Sequence, residues 1–257
     1  MEPGTDVHLT PFHTRFAGMG EHRPCDLWLH TSPEFAMKRL LVSGMEQIYQ
    51  ICKVWRDAEW TAKHNPEFTI VEWYRAYADW NAVMKDVEHI VSTALMLPRP
   101  FSRLRVDEAF ARYAGVDIEE MTSRAGWEDD FHELLVTEVE PQLTGPVFLT
   151  HYPSQLAVLS RVTDEDPRYA ERFELYVNGV ELCNGFTELT DAREQRRRFD
   201  DEMDERLRRE RMVMPMPERF LAALEAGMPP SGGVALGLDR LLMLQLGLDE
   251  LDSILIR

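Results

Sequence analysis

The sequence predicts one α/β (α+β) domain, an antiparallel sheet flanked by helices. Residues 173–188 read FELYVNGVELCNGFTE, two β-rich apolar runs on either side of Asn178-Gly179. A two-residue turn of that composition takes φ > 0 at both positions and closes an antiparallel hairpin. Residues 47–56 and 67–77 are two more strand-length runs, joined by a turn-rich segment. Residues 79–95 repeat apolar side chains at helical spacing, with Trp80, Val83, Met84, Val87, Ile90 and Val91 on one stripe.

Composition sets the outer limits. The chain has 257 residues, 44% apolar and 28% charged, which suits a globular domain with a substantial core. A net charge of −17 opposes a broad nucleic-acid footprint, which needs clustered Lys and Arg. Three cysteines without CxxC spacing indicate neither a zinc site nor a disulfide framework. With no membrane-length apolar run and no leader pattern, a cytoplasmic location is expected.

In chain order, residues 7–11 are a short candidate strand and residues 26–30 another. Ser32-Pro33 then starts a helix to about Val42, with Ser32 as N-cap, Pro33 at the first helical position and Glu34 in the first turn. In the strand at 67–77, alternation puts Phe68, Ile70, Glu72 and Tyr74 on one face and Thr69, Val71 and Trp73 on the other. Pro98 and Pro100 end the helix at 79–95. Residues 105–113 and 127–139 read as further helices and 148–152 as a strand. Residues 191–212 interleave arginines with acids at i,i+4, the pattern of a solvated helix rather than an RNA-binding face. Residues 217–226 form a short helix. At the C-terminal end, Gly232-Gly233-Val234-Ala235-Leu236 is a small-residue strand turning at Gly237 into an apolar helix.

Charged residues inside these elements are the candidate chemistry. A two-residue turn pairs Val177 with Val180, Tyr176 with Glu181 and Glu174 with Cys183. Glu174, Tyr176, Glu181 and Cys183 then share a face, and Glu174 and Glu181 become diagonal neighbours roughly 7–8 Å apart, able to share one cation. A solvated outer face is the competing reading. Glu72 lies among aromatic and aliphatic neighbours, so it is either exposed or awaits a cation such as an ammonium group. Arg56 closes its strand beside the loop, and His64 in that loop is a phosphate donor or a plain surface residue. Arg240, in the first turn of a helix, opposes the helix dipole, which points to a bound anion. Neither GxGxxG nor a P-loop is present.

Three stretches carry a family resemblance. WRDAEWTAKHNPEFTIVEWY resembles motif 2 of class II aminoacyl-tRNA synthetases of the lysyl type, GMPPSGGVALGLDRLLML resembles their motif 3, and ELCNGFTELTDAREQ resembles the lysyl amino-acid pocket. Within that group the chain is most similar to the stand-alone paralogues that ligate (R)-β-lysine to elongation factor P. TDVHLTPF, LHTSPE, HYPSQLAVLSR and Ala235, where lysyl synthetases have glycine, carry that likeness. The resemblance covers nearly the whole chain except about 97–146 and implies a class II synthetase catalytic domain over 1–257.

The resemblance implies ATP and Mg²⁺ as cofactors and a lysine-like amino acid as substrate. It places ATP at Arg56, Ala58, His64, Asn65, Phe68, Glu174, Leu175, Gly237 and Arg240. Arg56 holds the α-phosphate and substrate carboxylate, Arg240 the γ-phosphate, and Phe68 stacks on adenine. Glu174 and Glu181 organise the metal. Ser32, Glu34, Glu72, Tyr74, Glu181, Asn184, Phe186, Glu188 and Ala235 form the substrate pocket, although strict alternation puts Asn184 and Phe186 opposite Glu181. The family pattern has a glutamate two residues after Arg56, where this chain has Ala58 and then Glu59. Motif 1, which builds the family's homodimer, and the anticodon-binding domain have no counterpart here, so tRNA is not the expected acceptor. An amide ligase of small-molecule biosynthesis and an amino-acid-binding regulatory module are the alternatives.

Overall fold

The computed structural model of the chain describes residues 9–20, 22–57 and 59–254. Its first strands, β1 (His13–Phe16) and β2 (Cys25–Trp28), form a separate antiparallel ribbon. Of the expected strand at 7–11, residues 7 and 8 lie outside the described residues, and Thr10 makes an isolated bridge to Asp57. After α1 (Glu34–Val42) come β3 (Gln47–Trp55), β4 (Glu67–Ala76) and α2 (Trp80–Leu95). Next are β5 (Ser102–Arg105), α3 (Val106–Ala109), α4 (Ile118–Thr122), α5 (Trp127–Leu134) and β6 (Pro146–Thr150). The hairpin follows as β7 (Arg172–Val177) and β8 (Val180–Thr187), then α6 (Ala192–Arg208), α7 (Glu218–Gly227), β9 (Ser231–Gly237) and α8 (Leu238–Gln245).

The seven strands β3 to β9 form one sheet in the order β3-β4-β9-β8-β7-β6-β5. Every pair is antiparallel except the edge pair β5–β6, which is parallel. The sheet is therefore mixed at one edge and antiparallel through its centre. The expected helix at 105–113 starts as the end of β5, and α3 runs straight into a π-helical stretch at Phe110–Ala114. α5 likewise continues into Leu135–Val139.

One face of the sheet is dry. α2 starts where the Asp79 carboxylate accepts from Ala82 N and stops where Met96 turns left-handed. Its stripe of Val83, Met84, Val87 and Val91 packs on Trp73, Phe173, Leu175, Val234 and Leu236. Each such side chain contributes about 1.5–3 kcal/mol by leaving water. A second core of Phe110, Phe131, Val139 and Tyr152 sits beside β6 and β7. A third joins Phe35 and Met37 of α1 to Phe199 of α6 and Phe220 of α7, around Tyr74. α6 is charged along most of its length yet buries Gln195, Phe199 and Arg206. The opposite face of the central strands stays open as a cleft.

Candidate active site

The hairpin fixes the cleft floor, and its register corrects the simple alternation. Val177 pairs with Val180 and Tyr176 with Glu181 as expected, but the next pairs are Leu175 with Cys183 and Glu174 with Asn184. The shift at Leu175/Tyr176 leaves Leu182 as the extra residue of a bulge. Leu182 and Cys183 are adjacent, and both lie in the dry core. Strict alternation cannot bury two neighbours on one side, and the bulge does so. It also moves Asn184 and Phe186 onto the face of Glu174 and Glu181, and Cys183 off it. Leu175, expected at the nucleotide, is fully buried in the core on the far side of the sheet.

The cleft is about 360 Å³ and is lined by residues of four sheet strands, α1, the loops after β3 and β6, and the start of α8. Of the expected residues, it brings together Ser32, Glu34, Arg56, His64, Asn65, Phe68, Glu72, Tyr74, Glu174, Glu181, Asn184, Phe186, Ala235, Gly237 and Arg240. Ala58 lies outside the described residues. Glu188 does not line the cleft; it sits behind the wall, fully buried.

One end is acidic. Ser32 is not the helix cap, because α1 begins one residue later with Pro33 at that position. Ser32 Oγ accepts from Glu34 N at 3.0 Å and donates to Glu72 Oε2 at 2.8 Å. Tyr74 Oη donates to Glu72 Oε1 at 2.5 Å. Glu72 is thus buried rather than exposed. Burial, then the charge of Glu34, pushes its carboxyl up to about 7 against the pull of Tyr74, Ser32 and Lys38. Lys38 Nζ stands 2.5 Å from Glu34 Oε1 and 2.5 Å from Glu188 Oε2, with no exposure. Glu188 is pushed up to about 8, chiefly by burial, with Lys38 resisting and Glu34 and Glu72 adding.

The other end is cationic. Arg56 lies over the Phe68 ring at 5.0 Å and 3.9 Å from Glu59, and its buried Nε has no hydrogen-bond partner. Arg240 donates to Lys63 O at 3.0 Å and to Glu181 O and Oε2 at 2.9 and 3.1 Å. The expected anion partner of Arg240 is here the side chain of Glu181. Burial, then Arg240 with Arg56 and Lys63, pulls His64 down to about 4, so its ring is neutral at pH 7. Burial would raise Glu181, but Arg240, Arg56 and His64 hold it below its ordinary value. The neutral imidazole thus lies among the charges of Arg240, Arg56 and Lys63.

Glu174 lies between the two ends. It accepts from Tyr152 Oη at 2.6 Å, Tyr176 Oη at 2.7 Å and Arg172 at 2.7 Å, and its side chain is 9% exposed. Those donors occupy the lone pairs that a metal ion would use, whereas the Glu181 side chain is 35% exposed toward the cleft. Among the described residues no group of three His, Cys, Asp or Glu side chains is arranged for a metal. Sequence reasoning missed Arg172, which also donates to Asn184 Oδ1 at 3.2 Å and stacks on Tyr152 at 4.5 Å. It lies two residues before Glu174 on the same strand face, a signal that alternation contains. Lys38 was legible too, four residues after Glu34 on a helix.

No helix among the described residues is long and apolar enough to cross a membrane. The family model described as tRNA synthetases class II (D, K and N) matches residues 8–256.

Proposed function

We propose, from the premise that the chain belongs to the class II tRNA synthetase family of the D, K and N type, that it activates a lysine-like amino acid with ATP. The substrate carboxylate attacks the α-phosphorus and pyrophosphate leaves; an amine then attacks the acyl carbon of the aminoacyl-adenylate, the C–O bond to the phosphate breaks, and AMP and the amine's proton are released. One observation carries this reading: the cleft has carboxylates at one end, Glu34 and Glu72, and cations at the other, Arg56, Lys63 and Arg240. Of the three substrate types the family covers, aspartate would bring a carboxylate to the acidic end and asparagine a neutral amide. Lysine brings a second ammonium, which offsets the cost of buried carboxylates.

Arg56 suits the α-phosphate and the substrate carboxylate, Arg240 the γ-phosphate, and Phe68 the adenine ring. Arg240 would exchange Glu181 for phosphate on binding. Such catalysis is positioning and charge stabilisation, which fixed guanidinium groups supply. Glu181 fits Mg²⁺ in company with phosphate oxygens; Glu174 fits through the order it keeps among Tyr152, Tyr176 and Arg172. Magnesium, when bound, would neutralise charge on the triphosphate.

The finer assignment is (R)-β-lysine as substrate and a lysine of elongation factor P as acceptor. It rests on the resemblance and on Ala235, which pairs with Glu72 on one side and Asn184 on the other. Its methyl group narrows the floor between two expected substrate contacts, disfavouring α-lysine. Pyrophosphate exchange with both isomers should favour (R)-β-lysine, and Ala235→Gly should move the preference toward α-lysine at least tenfold. Equal use of the isomers by the native chain would remove the β-lysine assignment. Absence of a mass increase on elongation factor P would remove the acceptor.

A further inference from the structure

The acidic end contains more carboxylates than its substrate needs. Glu34, Glu72 and Glu188 face one another there, with the Lys38 ammonium between Glu34 and Glu188. We propose that Lys38 is a specificity-determining residue: a resident cation that offsets one of three carboxylates and sets the pocket to accept two ammonium groups. This rests on the reading of the cleft as an amino-acid-activating site.

The Lys38 ammonium has no exposure to water. Beyond its two carboxylates it meets the Phe186 ring at 5.2 Å and the Phe220 ring at 5.7 Å, an arrangement that favours a cation. Burial alone would strip its proton, but Glu188 and Glu34 keep it charged. The ammonium is therefore a fixture of the fold. Three carboxylates and one ammonium leave two negative charges in a buried space. Without substrate, protons meet that excess, as the raised Glu72 and Glu188 carboxyls indicate. Glu188 Oε1 has no hydrogen-bond partner, and it faces Gly233, a residue of the cleft lining. A diammonium amino acid restores neutrality by displacing protons, whereas a monoammonium one leaves a charge uncovered.

Changing the number of charges in the pocket tests this role. Lys38→Met keeps an apolar stem and leaves three carboxylates unopposed. Lys38→Met combined with Glu188→Gln returns the balance to two. Glu188→Gln alone lowers it to one. For the full chain, kcat/KM in pyrophosphate exchange would be measured with lysine, (R)-β-lysine and the monoammonium analogue norleucine. Preference for the diammonium substrates should fall at least tenfold in Glu188→Gln and recover in the double variant, whereas Lys38→Met, with three carboxylates unopposed, should keep or raise it. A simple structural role predicts the reverse ranking, with the double variant the worst. Should Lys38→Met not fold, as judged by circular dichroism, the Glu188→Gln and double variants still decide the question. An unchanged preference in Glu188→Gln, or a double variant no better than it, overturns the role of Lys38. A native chain with no exchange for any diammonium amino acid instead overturns the functional reading beneath it.

Discussion

Gly233→Ala tests whether the acidic end is packed as tightly as the contacts imply. A Cβ built at Gly233 would lie 2.3 Å from Glu188 Oε1 and 2.3 Å from Tyr74 Cε1. Carbon atoms prefer separations of about 3.5–4.0 Å, so the Tyr74 ring would have to withdraw by roughly 1 Å. It has nowhere to go: Tyr74 is 3% exposed and packs in the core of Phe35, Phe199 and Phe220. Overpacking of this kind costs about 1–3 kcal/mol. Moving the ring also breaks the Tyr74–Glu72 hydrogen bond, about 1.5–3 kcal/mol for a bond to a charged group. Two effects are expected. The melting temperature should fall by about 2–4 °C for each kcal/mol lost in a chain of this size. The KM for the amino acid should rise roughly tenfold to a hundredfold, since about 1.4 kcal/mol is a factor of ten. The KM for ATP should stay within about twofold, because Arg56, Phe68 and Arg240 lie at the other end of the cleft. Pyrophosphate exchange titrated separately in each substrate, with a thermal melt of each protein, reads all three. An unchanged amino-acid KM would refute the placement of Tyr74 and Glu72 at the substrate.

Two further outcomes follow from the electrostatics. Arg56→Ala or Arg240→Ala should lower exchange at least a hundredfold while leaving circular dichroism unchanged, and retained exchange in both would remove the adenylation mechanism. The second outcome concerns pH. Glu72 and Glu188 ionise near 4.5 in the unfolded chain but near 7 and 8 when folded, so the folded state binds more protons between those values. Their contribution to stability is fully present below about 4.5 and is lost as pH rises through 7 to 8. Denaturant melts of the substrate-free protein should therefore show stability falling from pH 6 to 9, and Glu188→Gln should flatten that slope; a slope that Glu188→Gln leaves intact would contradict the burial of that carboxyl.

Much of this protein was written locally. The Asn178-Gly179 turn and the α2 stripe each depend on neighbours within a few residues, and short-range sterics and periodicity decide them. So do the alternating faces of β4, which put Phe68, Glu72 and Tyr74 in the cleft. The resemblance carried by the quoted motifs also named the family that the match over residues 8–256 shows. The tertiary structure alone decided three things. Placing Leu182 and Cys183 together in the core required a bulge, and that bulge, not alternation, put Asn184 and Phe186 beside Glu174. The protonation of Glu72 and Glu188 depends on how much water the packed α1, α6 and α7 exclude, which no spacing in the sequence encodes. The partner of Lys38 could be foreseen only halfway. Glu34 lies one helical turn before it, but Glu188 arrives from the far end of β8, and only the assembled sheet brings that charge within 2.5 Å.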